Sequence, residues 1–93
     1  MTNNPTSLKL QGTRKVEIYS TPTCHFCHMA KEFFRKNGVD YTDYNVGTDI
    51  AKRREMMEKS GQLGVPVNIV DRKNLVNGFN DTLLTKFLRI SAR

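Results

Sequence analysis

Both cysteines and both histidines of the chain stand in one short stretch, Cys24-His25-Phe26-Cys27-His28. Any fold that carries this stretch must put it where sulfur chemistry can happen or where a group can be held. Three chemistries use such a string. A C-x-x-C is a dithiol that shuttles electrons, and a C-x-x-C-H is the string to which haem is attached covalently. Clustered Cys and His residues also supply half of a zinc site. As a permanent bridge the pair would close almost no loop and add little stability, so a reactive role fits better than a structural one.

The surroundings of the motif have a regular order. Lys15-Val-Glu-Ile-Tyr-Ser20 alternates apolar and polar residues and reads as a strand. A helix follows from Cys24 to Lys36, with Cys27, Ala30 and Phe34 on one buried stripe. Asn37-Gly38 provides its stop. Tyr41–Val46 is a second strand. Thr48-Asp49 offers a cap for a helix through Lys59, with Ile50, Met56 and Met57 expected on its inner side and Gly61 ending it. Val65–Asp71 is a third strand and Leu75-Val76-Asn77 a short fourth. The last helix covers about Asn80 to Ile90, with Leu83, Leu84, Phe87 and Leu88 as its apolar face.

The order β-α-β-α-β-β-α defines an α/β fold with a four-stranded mixed sheet and three helices. Its opening β-α-β implies a parallel pair joined by a right-handed crossover. The tight link between the last two strands implies an antiparallel hairpin. Residues 1–12, with Pro5 and Gly12 and no periodicity, read as a flexible tail before one domain over 13–93.

Composition narrows the function. The 93 residues suit a single domain, and 15 basic against 9 acidic side chains give a net charge of +6. The basic residues are scattered, and the only run, Lys52-Arg53-Arg54, has no interleaved aromatics, so it reads as a solvated helix face rather than a nucleic-acid site. No apolar run approaches the roughly 18 residues that a membrane span requires. The polar N-terminus, without a hydrophobic stretch, carries the expectation of no signal peptide and a cytoplasmic location. The Asn80-Asp81-Thr82 sequon then has no meaning beyond composition.

These surroundings discriminate among the three chemistries. A strand leads directly into the motif, whereas haem-attaching chains of this kind are typically helical. The rest of the chain has no further Cys or His to complete a zinc site, and Cys27 and His28 point about 100° apart on a helix. A site shared between two chains stays open. Thiol–disulfide exchange asks for what is present. A C-x-x-C at a strand-to-helix junction places the first sulfur among the free N–H groups of the helix start, where a thiolate is stabilised. Cysteines in such settings have pKa values lowered to roughly 3.5–7.5. Cys24 is thus the expected nucleophile and Cys27, one turn further in, the resolving thiol. His25 and His28 read as exposed helix residues, although a protonated His25 would further favour the thiolate. Phe26 is expected at the exposed tip as a contact surface for substrate.

Val16-Glu-Ile-Tyr-Ser-Thr-Pro-Thr-Cys-His-Phe-Cys27, followed by Gly64-Val65-Pro66 and then Gly78-Phe79-Asn80-Asp81, resembles the glutaredoxins. More narrowly, it is similar to small glutaredoxin-like redoxins with Gly-Phe in the last motif. The resemblance implies a thioredoxin-like fold with Pro66 in a cis peptide beside the dithiol and Val65 presenting its backbone to the substrate. It implies that the last helix, starting at Asn80 and Asp81, receives one carboxylate of glutathione, and that Gln62 helps to hold the other. It further implies glutathione as a co-substrate with no tightly bound cofactor, disulfide-bearing proteins as partners, and a monomer. Three positions depart from the common pattern. His25-Phe26 replaces Pro-Tyr, Thr21 stands where a lysine is frequent, and Phe79 replaces a glycine. Redoxins with Gly-Phe include ones reduced by thioredoxin reductase, so glutathione and a thioredoxin-reductase-type donor both remain open. The alternative from another class is a binding module in which two copies hold an iron–sulfur cluster or a metal.

Overall fold

The segment after Lys15 becomes β1 (Val16–Ser20), and all five of its residues are buried. The alternating pattern predicts a strand with one wet face, but β1 lies in the interior of the sheet and both its faces are covered. Its two polar residues are accommodated by partners rather than by water. The Glu17 carboxylate accepts from the Tyr44 hydroxyl at 2.8 Å, and the Ser20 hydroxyl donates to Asp43 at 2.6 Å. This is a computed structural model, and it describes residues 15–89; the expected tail over 1–12 and the last helical residue Ile90 lie outside the described residues.

The other strands are β2 (Thr42–Asn45), β3 (Val67–Val70) and β4 (Asn74–Asn77). They form one sheet in the order β2-β1-β3-β4. β1 runs parallel to β2 and antiparallel to β3, and β4 returns antiparallel on β3. The parallel pair and the hairpin both match the sequence expectation. In the hairpin, Asp71 and Arg72 have φ of 56° and 67°, the left-handed geometry that tight two-stranded turns use.

Helix α1 (His25–Lys36) buries Cys27, Ala30 and Phe34, the stripe that the 3.6-residue period predicts, and ends at Asn37 and Gly38. Helix α3 (Asp81–Leu88) buries Leu84 and Leu88, while Leu83 and Phe87 pack at the margin. Both helices cover one face of the sheet, with Val16, Ile18, Val70 and Val76 beneath them. Helix α2 (Ile50–Ser60) covers the other face, capped by Asp49 and closed by Gly61 in the left-handed region. None of the described helices is long and apolar enough to cross a membrane.

The inner face of α2 differs from the expectation. Met56 is buried, but Ile50 is 62% and Met57 43% exposed. The helix turns Lys52, Glu55 and Met56 toward the sheet instead. The Tyr19 hydroxyl donates to Glu55, Lys52 pairs with Glu55 at 3.1 Å, and the Lys52 ammonium lies 4.2 Å from the centre of the Tyr44 ring. Lys59 adds a second ion pair to Glu55 at 3.4 Å. A polar inner face of this kind is held by hydrogen bonds and charge, which a search for apolar periodicity misses.

The network makes the attachment of α2 sensitive to acid. The Tyr19 hydrogen bond, together with Lys52 and Lys59, holds the Glu55 carboxyl down at about 2, against a partial desolvation that opposes it. A depressed carboxyl contributes stability that is fully present above its ordinary value and is lost as pH falls toward the folded one. Wild type is therefore expected to lose on the order of 1 kcal/mol from this group between about pH 4.5 and 2. Glu55→Gln should flatten that part of the curve, as read by urea midpoints across the range. Parallel curves for the two proteins would show that Glu55 does not carry the effect.

Candidate active site

Cys24 is the N-cap of α1. Its backbone is extended, at φ −84° and ψ 116°, so the chain turns from the β1 exit into the helix at this residue. The turn is closed by the Cys24 N–H donating to the Thr21 carbonyl at 3.3 Å and the His28 N–H donating to the Cys24 carbonyl at 3.2 Å. In the place of the usual Ser, Thr or Asp oxygen, the capping acceptor is sulfur: the Cys27 N–H donates to Cys24 Sγ at 3.1 Å.

Cys27 sits one turn further in and is fully buried, whereas Cys24 is partly exposed; both are free thiols. Burial, first, and hydrogen bonding to Cys24, second, push the Cys27 thiol up to about 12. Near neutral pH the pair is thus asymmetric. Cys27 keeps its proton, and Cys24 is the sulfur open to solvent.

The Val65 carbonyl faces Cys24 Sγ at 3.9 Å, and the Val65–Pro66 peptide is cis, as the resemblance implied. Pro66 is buried. Its carbonyl accepts from the Gly78 N–H at 2.8 Å, which draws the Gly78-Phe79-Asn80 connection alongside the Val65–Pro66 loop. Asn80 caps α3, its side-chain oxygen accepting from the Leu83 N–H at 3.0 Å, and Asp81 follows in the first turn. Cys24 thus meets Cys27 and Val65 directly, Pro66 follows Val65 in the chain, and Asn80 and Asp81 are tied to this loop through the Gly78 N–H on the Pro66 carbonyl. Phe26 projects outward, 55% exposed, with the His25 ring at its edge. Gln62 follows Gly61 at the end of α2, half-buried, three residues before Val65. Lys59, in the last turn of α2 before this loop, is paired with Glu55.

Two residues near the dithiol escape a reading of the sequence. The exposed His28 ring places Nε2 2.7 Å from the Pro22 carbonyl, which makes Nε2 the donor and pins the loop before Cys24. Asn68 is completely buried in β3 and bonds to the Gly78 carbonyl. A single polar residue inside the apolar run Val67–Val70 was the only signal available for it.

A parallel β-α-β unit, an antiparallel hairpin and a cysteine-capped helix facing a cis-proline loop define a thioredoxin-like dithiol protein. The glutaredoxin family model matches residues 16–75. The chain belongs to the glutaredoxin family. It is 41% identical over 73 residues to an uncharacterized glutaredoxin-like 8.6 kDa protein in the rubredoxin operon of Clostridium pasteurianum, covering 78% of this chain and 96% of that one. It is 37% identical over 60 residues to glutaredoxin 3 of Escherichia coli K12, covering 64% of this chain and 72% of the relative. Among solved structures, the glutaredoxin grx-1 of Archaeoglobus fulgidus superposes with a TM-score of 0.74 at 27% identity, over 89% of this chain and 95% of that one. The NrdH-redoxin of Escherichia coli, a glutaredoxin-like protein described as having a thioredoxin-like activity profile, gives 0.63 at 25% identity, over 75% and 91%. Family and geometry together support a thiol redox role.

Proposed function

We propose that the chain is a dithiol–disulfide oxidoreductase that reduces protein disulfides and glutathione mixed disulfides in a reducing compartment such as the cytoplasm. The observation that carries this reading is the sulfur cap, with the Cys27 N–H directed at Cys24 Sγ and the Cys27 proton held beside it. The Cys24 thiolate attacks one sulfur of the substrate disulfide. A Cys24–substrate bond forms, the substrate S–S bond breaks, and the leaving thiolate takes a proton from solvent. Once Cys24 is in the mixed disulfide, its charge and hydrogen bond no longer raise Cys27, and Cys27 ionises more readily. Cys27 then attacks Cys24, loses its proton to the departing substrate thiolate, and releases the second reduced sulfur. Two electrons from donor thiols restore the pair.

The groove for substrate is assigned to Phe26 as apolar contact, Val65 and Pro66 as the backbone edge, and the α3 start at Asn80 and Asp81 as the carboxylate and ammonium end. Gln62 is assigned to the other carboxylate. This set is weakly charged for glutathione, since Thr21 and Gln62 are neutral and Lys59 is engaged. Loss of one charge-assisted contact costs about 1.5–3 kcal/mol, roughly ten- to hundredfold in affinity. Glutathione therefore binds weakly, and protein disulfides are reduced at least as well as small ones. A donor of the thioredoxin-reductase type fits this balance, in line with the likeness to NrdH-redoxin.

Turnover with glutathione plus glutathione reductase, set against NADPH plus thioredoxin reductase, tests the reading. Cys27→Ser is expected to keep activity on glutathione mixed disulfides, where a second glutathione resolves the intermediate, and to lose reduction of protein disulfides such as insulin. High turnover with glutathione at a low-micromolar KM, with no activity on a protein disulfide, would overturn the proposed balance.

A further inference from the structure

Asn68 pairs across the sheet with Ile18 and Val76, so its side chain shares their face, beneath α1 and α3. It is 0% exposed, and its carbonyl oxygen Oδ1 has no hydrogen-bond partner among the described residues. An orphaned buried acceptor is destabilising, and a valine would fill this strand position without it. What the amide does achieve is local. Nδ2 donates to the Val76 carbonyl at 3.3 Å and to the Gly78 carbonyl at 3.0 Å.

The second of these bonds falls on a critical peptide unit. Gly78 has φ +78°, and there the chain leaves β4 and turns toward Phe79 and the Asn80 cap. Its N–H is already held by the Pro66 carbonyl at 2.8 Å. Pro66, just before β3, and Asn68, within it, thus grip Gly78 from both sides, one through its N–H and one through its C=O. Pro66 belongs to the loop that faces Cys24, and Gly78 leads into α3.

We infer that Asn68 is a positioning residue for substrate: by holding the Gly78 carbonyl it fixes the α3 start relative to the Val65–Pro66 loop and Cys24. It acts on the capture of a carboxylate-bearing peptidyl disulfide and leaves the sulfur chemistry alone. The inference rests on the groove assigned above.

Asn68→Val is the direct test, with an S-glutathionylated cysteine peptide as substrate and iodoacetamide as a probe of Cys24. KM is expected to rise about tenfold, the size of one lost charge-assisted contact, with kcat and the alkylation rate within about twofold of wild type. Hydrogen exchange at the Gly78 N–H should accelerate more than exchange at the β1–β3 amides, because the two bonds lost run to the Val76 and Gly78 carbonyls and neither runs to β1. Gly78→Ala disturbs the same peptide through its φ and should raise KM as well; combined with Asn68→Val it should be clearly less than additive. An unchanged KM in Asn68→Val, or a rise in KM matched by slower alkylation, overturns the inference. Should Asn68→Val not fold, an unchanged KM in Gly78→Ala overturns it. If wild type reduces neither the glutathionylated peptide nor insulin, the proposed function fails separately. Exchange then decides the structural link alone: faster exchange at Gly78 sustains it and unchanged exchange sinks it.

Discussion

Cys24→Ser is expected to abolish turnover of every disulfide substrate, lowering the rate by at least about three orders of magnitude. A serine hydroxyl can accept the Cys27 N–H, so the helix cap and the fold survive the change. What is lost is the sulfur nucleophile. Cys27 cannot take its place, because it is fully buried and its thiol is pushed up to about 12, chiefly by that burial. Raising a thiol above its ordinary value keeps it protonated through the neutral range, so it presents no thiolate there. Iodoacetamide at neutral pH should accordingly label wild type at Cys24 alone. The Cys24→Ser protein should resist the reagent when folded and react at Cys27 in urea. Faster labelling of Cys27 than of Cys24 in the folded wild type would reverse the two roles.

Phe34→Ala should be the most damaging single change away from the dithiol. Phe34 is 0% exposed, stands in contact with the Tyr41 ring at 5.4 Å between centroids, and fills the space between α1, α3 and the sheet. Truncating a buried phenylalanine removes its transfer energy and leaves a cavity that neighbours fill only in part, a loss of about 3–5 kcal/mol. For a domain of this size that corresponds to a fall in Tm of roughly 12–40 °C. The urea midpoint should drop while the slope of the transition stays close to that of wild type. A change below about 1 kcal/mol would mean that the layer beneath α1 collapses around the gap far more easily than its packing implies.

Much of this architecture was legible in the residues, for identifiable reasons. Cys27, Ala30 and Phe34 report α1 because a helix must bury one stripe. Gly38 and Gly61 mark helix ends because the chain enters the left-handed region at both. The dithiol was visible because a C-x-x-C straight after a strand has few other uses. What stayed hidden depends on polar groups whose partners are distant in sequence. Lys52 and Glu55 face inward only because Tyr19 and Tyr44 wait on the sheet, so Ile50 and Met57 looked like better candidates for burial. Glu17 and Ser20 are buried only because β2 brings Tyr44 and Asp43 to them. Asn68, a polar residue in an apolar strand, gains its partner only because the chain after β4 brings the Gly78 carbonyl within reach. Each of these needs the tertiary fold before it acquires a meaning.

The sulfur cap also bears on how the protein meets oxidants. If Cys24 is the nucleophile proposed above, peroxide is expected to act on this partly exposed sulfur and convert it first to a sulfenic acid. A sulfenic acid left alone is open to a second oxidation to the sulfinic state, which is generally irreversible. The Cys27 thiol is hydrogen-bonded to Cys24 and fully buried. It is expected to condense with the sulfenic sulfur, expelling water and closing the Cys24–Cys27 disulfide. Burial withholds Cys27 from the oxidant and reserves it for its neighbour. On that reading, oxidative injury is channelled into the same disulfide that the proposed reducing cycle forms, and a single donor reverses both.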